Sequence, residues 1–253
     1  MTTNDQLISR IQSAARDAIN KSRPYFTRFL TEAEQMKISA LKFSDELVTG
    51  FYGGEGNSDA VRRCFGIVPS FYVTDEGSFN ALFPVKAITF TYRKCDEITH
   101  REVLGTLMGL GIERDTVGDI FIAEGKTAVF VTEKPAQLIM DSVLKIGKVG
   151  VGCSYGVDFE LPKQQFEELN FSVASLRLDN LVKNMASCSR TVACDRYLKP
   201  QFVQVGGEVC DNPSRIIKQG EVVTIRGKGK FLLSEIGETG RKGNTHITVK
   251  KYK

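Results

Sequence analysis

Residues 177–193 read Arg177-Leu178-Asp179-Asn180-Leu181-Val182-Lys183-Asn184-Met185-Ala186-Ser187-Cys188-Ser189-Arg190-Thr191-Val192-Ala193, and their pattern decides the architecture of the C-terminal part of the chain. Leu178, Leu181, Val182 and Met185 recur at helical spacing, which predicts a helix over residues 176–186 with Arg177 and Lys183 off its apolar face. Ser189 is placed to cap a second helix reaching residue 198, with Ala193, Tyr197 and Leu198 available for packing. The start of that helix offers unpaired backbone N–H groups and a field that favours phosphate, with Arg190 and Thr191 beside it. Arg196 and Lys199 extend the charged edge, and Pro200 ends the helix.

Working downstream, residues 203–205 and 208–210 flank Gly206-Gly207, which suggests a hairpin. Pro213 and Gly220 punctuate the next stretch, with Lys218 between them, and residues 221–226 alternate as a strand ending in Arg226. Gly227-Lys228-Gly229-Lys230 then puts two lysines on a flexible loop. Two helices and a small β-element, each positively charged, make a surface for double-helical or junctional RNA. Such a surface works by phosphate geometry rather than base reading.

The charge distribution agrees. The formal charge of the 253 residues is only +4, yet residues 1–170 hold 19 Lys+Arg and 23 Asp+Glu, a net of −4, while residues 171–253 hold 15 and 7, a net of +8. Charge segregated in this way points to a polyanion-facing C-terminal module beside a more neutral body. The alternative is a basic tail whose charge only keeps it in solution.

Hydrophobic residues at 42% and charged residues at 25% are ordinary for a globular protein, and no apolar run is long enough to span a membrane. The opening Met1-Thr2-Thr3-Asn4-Asp5 has no basic region leading into an apolar one, so a cytoplasmic location is expected. Cys64, Cys95, Cys153, Cys188, Cys194 and Cys210 form no CxxC pair, and the two histidines, His100 and His246, are far apart. Reduced structural thiols are expected, with no metal site and no cofactor.

Toward the N-terminus, Leu7, Ile8, Ile11, Ala14, Ala15, Ala18 and Ile19 predict an amphipathic helix, and Thr31 with Glu34 predicts a capping box for a second one carrying Met36, Ile38 and Leu41. Residues 1–75 are therefore expected to be mainly helical. Residues 50–57 hold four glycines and read as a break; they lack the Gly-Lys-Ser/Thr ending of a phosphate loop. Between residues 85 and 157 the order is strand (85–92), helix (99–110, capped by Thr99), strand (117–123), strand (127–132), helix (135–146, with Leu138, Ile139, Val143 and Leu144 inward) and strand (149–157). This β-α-β-β-α-β order predicts a ferredoxin-like (split βαβ) middle domain over residues 76–165. An RNA-recognition version would display aromatics on its middle strands; Phe90, Tyr92, Phe121 and Phe130 are the candidates, but core packing suits them better. The expected fold class is α+β.

The runs Arg177-Leu178-Asp179-Asn180-Leu181, Ser189-Arg190-Thr191-Val192-Ala193, Val203-Gln204-Val205-Gly206-Gly207, Pro213-Ser214 and Gly220-Glu221-Val222-Val223-Thr224-Ile225 closely resemble an S4 RNA-binding domain, here over residues 172–253 with a C-terminal extension. Gly206-Gly207 replaces the family's usual Asn-Gly turn, and Gly220-Glu221 its usual Gly-Asp. The stretch from His100 to Ile112, then Arg114, Gly118-Asp119-Ile120 and Arg226-Gly227-Lys228-Gly229-Lys230-Phe231, resembles the YlmH-like family over nearly the whole chain. The match is weakest around residues 51–63, where the family's pattern appears partly, as Gly53-Gly54-Glu55 and Arg62-Arg63. The resemblance implies a monomeric ribosome-associated protein that contacts rRNA or tRNA on the large subunit and takes part in ribosome quality control. It also admits an interaction or assembly factor, in cell division or photosystem II, whose S4 domain is accessory.

An RNA-modification enzyme is the remaining alternative. Arg177-Leu178-Asp179 has the letters of a pseudouridine synthase site, but the same letters are common on the first S4 helix. No glycine-rich loop after a strand indicates a methyltransferase, and His100 lacks an identifiable nucleophile partner. The expected protein is a non-catalytic RNA binder. Its contacts are Arg177, Lys183, Ser189, Arg190, Thr191, Arg196, Lys199, Lys218, Arg226, Lys228 and Lys230, with a second RNA contact at His100, Arg101 and Arg114.

Overall fold

The computed structural model describes residues 3–163, 165–239 and 243–252; the remaining positions, which include the ends of the expected N-terminal region and C-terminal extension, lie outside the described residues. The chain folds as two compact units, residues 1–163 and 164–253.

The first unit opens with α1 (Thr3–Lys21), whose Leu7, Ile11, Ala14 and Ala18 are buried at the predicted helical spacing. After β1 (Tyr25–Phe26), α2 (Glu32–Ser39) begins in the predicted capping box, Thr31 accepting from the Glu34 amide and Glu34 from the Thr31 amide. β2 (Leu47–Tyr52) and β3 (Cys64–Pro69) complete an antiparallel sheet in the order β1-β3-β2. This sheet adds three strands to a region expected to be mainly helical, and β2 runs through the start of the break expected from residue 50. All six residues of β3 are buried, so the strand has no polar alternation to give it away. The chain breaks only after Tyr52.

α3 (Glu76–Ala81) leads into β4 (Val85–Thr91), α4 (His100–Gly109), β5 (Val117–Ala123), β6 (Lys126–Thr132), α5 (Glu133–Ser142), the short pair β7 (Lys145–Ile146) and β8 (Val149–Gly150), and β9 (Gly152–Tyr155). The four longer strands form an antiparallel sheet in the order β5-β6-β4-β9. Ile88, Phe90, Val129 and Val131 share a core with Val103 and Leu107 of α4 and Ala136 and Ile139 of α5. Strand alternation sends Phe130 to the opposite face, into a cluster with Phe29, Cys64, Val68, Phe79 and Phe83. That shared cluster is why residue 75 is no boundary between units. α5 is shorter than predicted: Val143 turns extended (φ −87°, ψ 95°), so the helix stops at Ser142. Val143 and Ile146 are still buried, but Leu138 and Leu144, expected inward, are exposed.

The second unit is a six-stranded antiparallel sheet with two helices packed on one face. Its elements are β10 (Phe166–Val173), α6 (Leu178–Met185), α7 (Arg190–Val192, running on as a π-helix over Ala193–Leu198), β11 (Val203–Val205), β12 (Glu208–Val209), β13 (Val222–Ile225), β14 (Gly229–Thr239) and β15 (Thr245–Tyr252). The sheet order is β10-β15-β14-β13-β11-β12. Leu178, Leu181, Val182, Ala193 and Leu198 meet Val203, Val223, Ile225, Phe231, Leu233, Ile247 and Val249 in one core. β10 and the long β14–β15 hairpin were not foreseen. Because β14 starts at Gly229, Lys230 lies in a strand rather than on a loop, opposite Thr224.

Both helices of this unit end alike. After α6, the Ser187 amide donates to Asn184 O and the Cys188 amide to Lys183 O, with Ser187 left-handed at φ 53°. After α7, the Gln201 amide donates to Leu198 O and the Phe202 amide to Tyr197 O, with Gln201 at φ 61°. These are Schellman closures, each with a side chain at the position that glycine usually holds.

Candidate nucleic-acid interface

The centre of the basic unit is a carboxylate. Asp179, on the first turn of α6, is only 2% exposed because it lies in phase with the apolar stripe of Leu178 and Val182. Arg177, the N-cap residue of α6, donates to it from Nε (3.3 Å) and Nη2 (3.0 Å). Arg190, the first residue of α7, donates from Nε (3.0 Å) and Nη2 (2.6 Å). Burial pushes the Asp179 carboxyl up, but the two guanidiniums outweigh it and hold the carboxyl below its ordinary range. One buried anion thus fixes two arginines that start two helices, while the Arg190 side chain stays 59% exposed.

Other cations gather round α7. Cys188 feels the charges of both Lys228 and Arg196, which oppose the upward push of burial on its thiol. Cys194 in turn lies within electrostatic reach of Arg177 and Lys199. Lys199 pairs with Asp195 one turn earlier at 2.6 Å. Ser189 uses its hydroxyl to accept the Val192 amide at 3.2 Å, so its first role is the cap. Thr191 is exposed on the same turn. Arg226 lies over the ring of Phe202, its guanidinium carbon 4.8 Å from the centroid.

The structure therefore brings Arg177, Arg190, Arg196, Lys199 and Lys228 around one helix. Lys183 is exposed on α6, and Lys218 is exposed on the loop that the Glu221 carboxylate closes by accepting its amide at 2.7 Å. Lys230 is set apart: it precedes the buried Phe231, so it lies on the other face of β14, with Nζ 4.6 Å from the Tyr252 centroid.

In the first unit, His100 begins α4 beside Arg114 and Asp119, with Arg101 exposed next to it. Desolvation and the Arg114 charge push the His100 pKa down, against a smaller opposing pull from Asp119, which favours the neutral imidazole. Arg114 donates to Val117 O at 2.5 Å. Asp119 accepts from the amides of Val61 (2.8 Å) and Arg62 (3.2 Å) and from Asn57 Nδ2 (3.3 Å), which fixes the loop after β2. Arg62 then reaches Val117 O and Phe29 O. Phe90 and Phe130 are fully buried, Phe121 packs edge-on to Phe130, and the Tyr92 hydroxyl bonds to Ala123 O and Lys126 O. Phe90 and Phe130 therefore offer no face for a base, while Tyr92 and Phe121 are partly buried against the core.

Sequence reasoning missed Asp179 as an organiser, Phe202 as an aromatic partner, and Arg62. The usable signal for Asp179 was a charged residue in phase with an apolar stripe; such residues are seldom buried unless paired. Among the described residues no group of three or more His, Cys, Asp or Glu could hold a metal ion, and no helix is long and apolar enough to cross a membrane.

Residues 81–156 match the family model described as "Putative RNA-binding domain in YlmH". The chain is an α+β protein. It is 28% identical over 234 residues to "Ribosome-associated protein quality control protein P2" of Bacillus subtilis (strain 168), covering 91% of this chain and 88% of that protein. The solved structure of "Cell division protein ylmH from Streptococcus pneumoniae" aligns with 62% of this chain and 93% of that one, at 18% identity and a TM-score of 0.48.

Proposed function

We propose that this protein is a non-catalytic RNA-binding factor that works on the ribosome, in the cytoplasm, and contacts rRNA, tRNA or both on the large subunit. The observation that carries the proposal is the Arg177–Asp179–Arg190 arrangement, with Arg196, Lys199 and Lys228 around the same helix. A buried carboxylate that holds two half-exposed arginines in place lowers the entropic cost of meeting phosphates. Thr191, Lys183, Lys218 and Arg226 enlarge the phosphate-facing surface, and Lys230 extends it to the other side of the sheet. Asp179 itself accepts four donors from two arginines, which suits an organiser and not a nucleophile. The relative whose name places it in ribosome-associated quality control supports the ribosomal target.

In this proposal residues 172–253 act as the S4 module, and residues 76–165 as a ferredoxin-like module that adds a second contact through His100, Arg101 and Arg114. The antiparallel order β5-β6-β4-β9, with both helices on one face, supports the ferredoxin-like assignment. Replacing Arg190 and Arg196 together by alanine tests the main contact. Co-sedimentation with large ribosomal subunits should fall about tenfold or more, and the slope of log affinity against log salt should drop by about 1.5. Unchanged co-sedimentation and slope, or wild-type co-sedimentation that survives nuclease digestion of the RNA, would overturn the proposal.

A further inference from the structure

Phe202 sits at the point where the Schellman closure of α7 hands the chain to β11. Its amide donates to Tyr197 O at 2.8 Å and its carbonyl accepts the Arg226 amide at 2.9 Å, so its backbone is held from both sides. The position calls for an apolar side chain to pack back on the helix, and a leucine would meet that need. The phenyl ring goes further: it is 37% exposed, with the Arg226 guanidinium over it at 4.8 Å. Further cations lie close to it in sequence. Lys199 lies three residues before it, and Lys228 follows Arg226 in a turn that also comes within reach of Arg196 through Cys188.

We propose that Phe202 and Arg226 form a stacking platform for one unpaired nucleobase at the edge of the RNA that α7 engages. The proposal rests on the RNA-binding role above and adds to it the kind of RNA preferred. A paired duplex hides its base faces along its length, so an exposed ring among cations gains nothing from it beyond phosphate contacts. A bulged, flipped or terminal base offers a π-face to the ring while its own phosphate lies near a cation. Arg226 suits this role because its planar guanidinium can stack as well as carry charge. An acidic peptide would use the cations but would leave the ring idle.

The test uses the full-length chain and two RNA hairpins of equal phosphate number, one fully paired and one with a single 2-aminopurine bulge. The wild type should bind the bulged hairpin about tenfold more tightly and quench its fluorescence on binding. Phe202→Leu keeps the apolar contact on the helix and should lose both the preference and the quenching. Its affinity for the paired hairpin and its salt slope should not change. Phe202→Tyr should keep both effects, which separates loss of the stack from loss of the fold. Equal binding of the two hairpins by the wild type, or a preference that survives in Phe202→Leu, overturns the platform and leaves the RNA-binding role standing. Binding of neither hairpin overturns both. Displacement of the bulged hairpin by a polyglutamate peptide with unchanged strength in Phe202→Leu would also overturn the platform, by assigning the surface to an acidic peptide.

Discussion

Replacing Asp179 by asparagine isolates the charge at the centre of the second unit. The side chain keeps its size and one acceptor oxygen, but Arg177 and Arg190 lose the anion that orients them. Breaking a fully buried ion pair costs about 3–5 kcal/mol, because a buried charge is left alone. Here the arginine side chains are 34% and 59% exposed and can turn to water, so the expected loss is smaller, about 1–3 kcal/mol. The pH dependence has a definite sign. The Asp179 carboxyl titrates below its unfolded value, so its contribution is fully present above about pH 5 and fades as pH falls through the folded pKa. Hydrogen exchange of the α6 and α7 amides at pH 7, read peptide by peptide in the full chain, reports the loss within this unit. Thermal unfolding of both proteins between pH 7 and pH 3 reports the titration. Equal amide protection at pH 7 would refute the organising role. A stability gap that stays constant down to pH 3 would show that Asp179 acts through shape rather than charge.

Two further substitutions probe the backbone. Gly54 sits at φ +118°, where an added Cβ would lie 2.1 Å from the Phe130 ring, so Gly54→Ala should destabilise the first unit by about 3 kcal/mol or more; a melting temperature within a degree of wild type would contradict the packing described. Ser187 holds a left-handed φ of 53° at the end of α6, so Ser187→Gly should stabilise the second unit by about 0.5–1 kcal/mol. Slower amide exchange in the last turn of α6 is the expected readout, and faster exchange would count against it.

Where a segment has one buried face and one wet face, its sequence disclosed its structure. α1, α4 and α6 declared their apolar stripes, and Thr31, Thr99 and Ser189 announced the helix starts they cap. β3 was hidden because both of its faces are buried, leaving a short apolar run with no period. β10 was hidden for another reason: its partner β15 is distant in sequence and much of β10 is exposed, so local pattern carries little of its identity. In the candidate interface, the positive residues and the Ser189 cap were legible, because charge and capping are local. The coupling of Arg177 and Arg190 through one buried aspartate was not, since it depends on two helix starts meeting in space. Lys230 was misplaced because Gly227-Lys228-Gly229 reads as a loop, whereas the turn closes at once and Gly229 already begins β14.

The pairing of β10 with β15 joins the first strand of the second unit to its last, from Phe166 opposite Tyr252 to Val173 opposite Thr245. During synthesis the helices and β11–β13 can form from contacts close in sequence, but β10 has no strand partner until β15 has been made. Until then it presents an open edge of unpaired amides and carbonyls, the kind of edge that invites pairing with another chain. Loop closure over such a distance adds little to the final free energy but delays the encounter. Completion of the basic unit is therefore timed by the arrival of its final strand, and a chain cut short before Thr245 would lose the outer edge of the sheet as well as its own tail.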